Sequence, residues 1–195
     1  MTIYFTADMH LGHKNIIKYS NRPFKSVDEM DGKLISYFNS KVKQEDTVYN
    51  LGDFSFANPN KYLNRLNGNI IRIKGSHDHD IKEPRMLVIK PDGLLDEFGN
   101  QISITLCHYS MRSWELSHYA SWHLYGHHHG MLAPYGLSFD VGVDCWNFYP
   151  ISLEEIKQKM ITLKPIVDFR LASQTAREHS AKVTSNQFDS GACLL

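Results

Sequence analysis

Long apolar runs are missing from this chain. Nowhere do eighteen apolar residues follow one another, so no segment is expected to span a bilayer. Net charge is missing too: 21 Lys and Arg stand against 21 Asp and Glu. That balance argues against a globally basic protein that grips nucleic acid by phosphate neutralisation alone, and it leaves room for a local basic patch. Cysteine is scarce. Cys107, Cys145 and Cys193 are odd in number and widely spaced, which argues against a disulfide framework and fits a reducing cytoplasm. The opening stretch MTIYFTADMH meets an acid and a histidine too early for a signal peptide. What is present is a 195-residue chain with 42% hydrophobic residues and 11 histidines. The length suits one domain with a real core, and the composition argues against a largely disordered chain. The histidines are the feature that composition leaves unexplained.

Several apolar runs of strand length end in polar residues. Residues 3–7 run into Asp8 and His10, 47–51 into Gly52 and Asp53, and 70–74 into Gly75, Ser76, His77 and Asp78. Residues 102–107 run into His108, and 122–125 into Gly126, His127, His128 and His129. Their β-branched and aromatic character predicts strands, with two more at 86–90 and 137–143. Three helices are expected between and after them. One starts at a capping box, Ser26 with Glu29, and carries Met30, Leu34, Tyr37, Phe38 and Val42 at helical spacing. A second starts at Asn58-Pro59 and stops at Gly68. A third starts at Ser152 with Glu155, carries Ile156, Met160 and Ile161, and stops before Pro165. The alternation predicts a mixed α/β domain. Residues past about 170 become rich in Ser, Ala and Gln. They are expected to form a partly mobile extension or a short helix near 171–179.

The acids and histidines fall where chemistry is built in such folds. Asp8, His10, Asp53, His77, Asp78, His108, His127 and His129 all sit at or just after strand ends. Bringing so many carboxylates and imidazoles together is costly without a cation. The mixed carboxylate and imidazole set, without thiolate, suits Mn, Fe, Zn or Co better than Ca or Mg. The ligands are too many for one ion with an open position and about right for two ions that share a carboxylate. Two such ions serve phosphoryl hydrolysis well.

Asp8-x-His10, Gly52-Asp53, Gly75-Ser76-His77-Asp78, His108 and Gly126-His127-x-His129 together resemble the calcineurin-like metallophosphoesterases in order and spacing, over roughly residues 1–163. The stretches 11–17, 21–24, 108–114 and 141–144 resemble a small, uncapped bacterial and phage subgroup of it. The resemblance implies a four-layer αββα sandwich with two mixed β-sheets and a di-metal site at the strand C-terminal ends, followed by an extension over 164–195. It implies two divalent transition-metal ions, manganese first and iron, zinc, nickel or cobalt as alternatives. Asp8, His10 and His129 would hold the first ion, His108 and His127 the second, and Asp53 would bridge. His77 would be the general acid for the leaving alkoxide, oriented by Asp78. Ser76 departs from the pattern, which has Asn there as a ligand to the second ion. The serine either binds directly or through water, or leaves the second ion weakly held, or marks an altered form of an Asn parent.

The expected activity is hydrolysis of a phosphodiester, with a nucleotide or cyclic nucleotide as candidate substrate. No cap domain encloses a small monoester, and an open site admits larger ones. A nuclease of the same superfamily and a metal-binding module with weakened catalysis are the alternatives; charge does not favour the former, and Ser76 keeps the latter open. Arg22, Arg112 and Asn15 are candidate phosphate-binding residues, since a guanidinium grips phosphate in two places. Trp114 is either a base-stacking residue or core. His128, between two ligands, is expected to point away, and His13 is expected to be a solvated loop residue.

Overall fold

The computed structural model describes residues 1–79 and 82–166. Among the described residues, eight short strands form two four-stranded sheets. The first contains β1 (Ile3–Thr6), β2 (Thr47–Asn50), β3 (Asn69–Arg72) and β8 (Ile151–Ser152), in the order β3-β2-β1-β8. Its first three strands are parallel and β8 is antiparallel to β1. The second contains β4 (Met86–Ile89), β5 (Ile104–Cys107), β6 (Trp122–Tyr125) and β7 (Ser138–Asp140), in chain order. Here β4 is antiparallel and the other three are parallel. Both sheets are therefore mixed, as expected. The strand ladders agree with the apolar runs, apart from the two-residue β8, too short to leave a period in the sequence.

The sheets face each other across one core. Phe5, Ala7, Leu51 and Ile73 meet Ile104, Leu106, Trp122, Leu124 and Phe139 there. Removing one such side chain to alanine typically costs about 2–5 kcal/mol, because the cavity only partly collapses. A second core lies on the other face of the first sheet, where Tyr4, Val48 and Ile70 meet helices α1 (Ile16–Tyr19), α2 (Val27–Lys41) and α3 (Asn60–Leu63). In α2, Met30, Leu34, Ile35 and Phe38 form the buried stripe, and Ser26 caps Glu29 N–H at 3.2 Å. Tyr37 instead stacks on Tyr149. Helix α4 (Leu153–Ile161) opens on the Ser152–Glu155 capping box and sends Ile156 and Met160 into the inter-sheet core. Ile161 lies off that stripe and is exposed.

The fourth layer departs from expectation. Among the described residues no helix covers the outer face of the second sheet. The loop after β5 does so, with buried Trp114 stacked on His123 and its Nε1 donating to Ser121 O at 3.0 Å. Trp114 is core. The expectations for residues 167–195, and Cys193 with them, lie outside the described residues. Among those described, no helix is long and apolar enough to cross a membrane.

One junction positions the site. Ala7, just after β1, pairs with Gly142, just after β7, and Val143 N–H donates to Ala7 O. This joins the C-terminal ends of the two parallel strand sets. Beyond β1 and β2 the loops stay paired, with Asp8 N–H on Gly52 O, His10 N–H on Asp53 O and Leu11 N–H on Phe54 O.

Candidate metal centre

Six side chains gather at that junction in two groups. Asp8, His10 and His129 bring one ligand atom each within 4.8 Å of one another, and so do Asp53, His108 and His127. All follow the ends of β1, β2, β5 and β6. Asp53 stands between the groups: its Oδ2 is 3.6 Å from His10 Nε2 and 3.4 Å from His108 Nε2.

The backbone is bent to achieve this. Asp8, His10, Asp53, His127 and His129 all have left-handed φ values, from 49° to 71°. Asp and His tolerate this region better than most residues, yet each such position costs on the order of 1–3 kcal/mol and persists only where the surroundings enforce it. Glycines make room. A Cβ at Gly75 would run into Asp53, and one at Gly126 would press on Ala7 and the Asp8 carboxylate.

The donor set fits a divalent transition metal. Asp8 is fully buried, and its Oδ1 has no hydrogen-bond partner among the described residues. Burial pushes its pKa up to about 7. Both ring nitrogens of His10 are buried without hydrogen-bond partners among the described residues, and burial lowers its pKa to about 3, so the ring is neutral and free to coordinate. Such orphaned groups are costly unless a cation takes them. Carboxylate oxygens and imidazole nitrogens without thiolate match Mn, Fe, Zn or Co.

One histidine of each group is aimed from behind. His108 Nδ1 lies 2.9 Å from Leu51 O and His129 Nδ1 lies 2.7 Å from Asp144 Oδ2. Each contact leaves Nε2 facing the group, the arrangement by which outer partners fix a metal-binding ring. Asp144 is itself held by Arg22, whose Nε and Nη2 each reach a carboxylate oxygen at 2.8 Å. The same guanidinium donates to Asp8 O at 2.6 Å and Met9 O at 3.0 Å. Arg22 is 4% exposed. It is thus a buried brace and not a phosphate-binding residue, because its donors are spent inside the protein, four on oxygens and one on Met30 Sδ at 3.5 Å. Sequence reasoning missed Asp144, although it lies in the Val141-Gly142-Val143-Asp144 stretch already singled out.

Asp78 also differs from expectation. Its carboxylate accepts from the backbone N–H groups of Asp53, Phe54 and Gly75 at 2.8, 3.1 and 2.9 Å. It ties the second and third motifs together and does not orient the His77 ring. His77 is exposed; its backbone N–H donates to Asp53 Oδ1 at 2.8 Å, and its ring lies 5.6 Å from that of His10. Ser76 Oγ lies 3.1 Å from Asp53 Oδ2 and 3.4 Å from His108 Nε2, so it joins the second group. His128 turns away to Ser110 at 3.0 Å. His13 is half-buried and stacks on Phe56, rather than standing in solvent. Arg112 lies over the exposed Tyr135 ring at 5.5 Å, and Asn15 caps α1 through its backbone carbonyl; neither touches a ligand group among the described residues.

No family model matches this chain. The chain is 34% identical over 166 residues to the uncharacterized protein MJ1445 of Methanocaldococcus jannaschii, covering 79% of this chain and 88% of the archaeal protein. Among solved structures it is similar to AQ665 from Aquifex aeolicus, a protein of unknown function. That match has a TM-score of 0.60 and 24% identity, and covers 80% of this chain and 98% of that one. This likeness shows a shared fold. A predicted phosphoesterase from Streptococcus pneumoniae aligns more loosely, with a TM-score of 0.39 and 20% identity over 72% of this chain and 70% of that one.

Proposed function

The chain belongs to one family with MJ1445 of Methanocaldococcus jannaschii, and we propose that it is a metal-dependent phosphodiesterase of the calcineurin-like kind. The position of Asp53 carries this reading. One carboxylate oxygen lies within 3.6 Å of a nitrogen in each of two three-residue groups, the spacing a bridging ligand needs. Asp8, His10 and His129 would hold one divalent ion, manganese by preference. His108 and His127 would hold another, and Asp53 would be shared. Two such ions, when bound, supply Lewis acidity that neutralises phosphate oxygens and acidifies the attacking water.

The remaining chemistry belongs to the side chains. Hydrolysis joins a water oxygen to phosphorus and breaks one ester P–O bond, and the departing alkoxide needs a proton. The exposed His77 ring, beside His10, gives that proton from a ring nitrogen to the leaving oxygen. The backbone N–H of His77 on Asp53 Oδ1 fixes the loop from which the ring projects. Asp78 holds the left-handed turn at Asp53 through the N–H groups of Asp53 and Phe54 and ties it to Gly75 N–H. Ser76 Oγ would complete the second group as a neutral ligand, directly or through water.

The test compares chelator-stripped protein with the same protein reloaded with manganese, on bis(p-nitrophenyl) phosphate. Turnover that appears only on reloading supports the reading. Protein that takes up manganese and turns over no diester, nucleotide or nucleic acid contradicts it and leaves a metal-binding module.

A further inference from the structure

Two exposed aromatic rings flank the ligand groups on different sides. Phe56 follows Asp53 in the loop after β2 and is 48% exposed. Its ring centroid is 5.1 Å from His77 and 6.0 Å from His10. One face is backed by His13 at 3.7 Å and nearly parallel, which fixes the ring while leaving much of it open. Tyr109 follows His108 and is 40% exposed. It meets the rings of His127 and His108 at 4.8 and 5.0 Å. Phe56 therefore borders the first group and the proton donor, and Tyr109 borders the second group. Catalysis as described above uses neither ring.

Resting on the phosphodiesterase reading, we propose that Phe56 and Tyr109 are specificity-determining walls that stack flat rings on the two esters of the substrate. The substrate class is then a nucleoside or aryl phosphodiester rather than an alkyl diester. Phe56, next to His77, faces the group that leaves; Tyr109 faces the group that stays. Stacking on an aromatic side chain tolerates any base, because every base has a π-face. A ring already immobilised by His13 loses little freedom when a ligand stacks on it. This selection needs no basic surface, in keeping with a chain whose charges balance.

The test reads binding apart from turnover. Manganese-loaded wild type, Phe56→Ala, Tyr109→Ala and the double variant are titrated with AMP and with ribose 5-phosphate by calorimetry. Both ligands carry the same phosphate and only one carries a base. Wild type is expected to bind AMP about tenfold more tightly. The double variant should close that gap with metal content unchanged, and at least one single variant should narrow it. Equal binding of the two ligands by wild type, or a gap that survives in the double variant, overturns the walls. Absence of diester turnover with the AMP preference intact overturns the catalytic reading alone.

Discussion

The two ligand groups are built to different standards of support. In the first, Asp8 and His10 are buried, and His129 is aimed by Asp144, which Arg22 clamps from within the fold. Arg22 also holds the backbone carbonyls of Asp8 and Met9, so one guanidinium braces three sides of the group. In the second, Asp53 and His108 are buried, but His127 is exposed and Ser76 offers only a short neutral hydroxyl. His127 rests against other rings, and among the described residues no carboxylate hydrogen-bonds to it from behind. Outer-shell partners commonly set metal affinity by 10- to 100-fold. On the proposed two-ion reading, the first group should therefore hold its ion tightly, and the second loosely, in the half of the site that faces solvent.

Four substitutions break or sharpen that contrast. Asp53→Ala removes the carboxylate that stands between the two groups. It should abolish diester turnover and drop bound manganese below one equivalent by elemental analysis. His77→Ala belongs to neither group. It should leave metal content intact and slow substrates with poor leaving groups about 10²- to 10⁴-fold, while an aryl leaving group such as p-nitrophenolate, which needs no proton, loses far less. Metal loss in this variant would make His77 a ligand. Asp144→Asn keeps the shape of the brace and weakens its grip on His129. It should cost about 10- to 100-fold in affinity at the tighter site and leave the weaker site unchanged in a two-site titration. Ser76→Asn should tighten the weaker site severalfold and raise kcat at limiting metal, with the tighter site unmoved. An effect on both sites alike, from either of the last two, would erase the distinction between the groups.

Much of this site is legible in the sequence because its parts are local. A strand followed at once by Asp8-x-His10, or by Gly52-Asp53, places the ligand at the strand end whatever the rest of the chain does. What escapes is what depends on distant partners. Arg22 reads as a free loop arginine, because Asp144, 122 residues away, is what consumes its donors. Asp78 reads as the orienter of its neighbour His77, but adjacency in the chain says nothing of where a carboxylate points, and three backbone N–H groups claim it. The left-handed backbone at five ligands is invisible because no glycine marks it. The buried Asp31 escapes too. Set on the stripe of α2, it accepts from Gly12 N–H and the Tyr62 hydroxyl and so anchors the loop after His10. In the fold, seven of the strands follow from the apolar runs and their grouping into two mixed sheets from the resemblance, whereas β8 and α1 are too short to leave a periodic signal. The fourth layer was inferred from resemblance, and a Trp114 loop stands there among the described residues.

A calorimetric titration of chelator-stripped wild-type protein with manganese, checked by elemental analysis, bears most directly on the proposed two-ion centre. The account predicts two equivalents bound in two resolvable steps, with diester turnover rising on the second, weaker step. A single equivalent, or full turnover once the first step is complete, would contradict it.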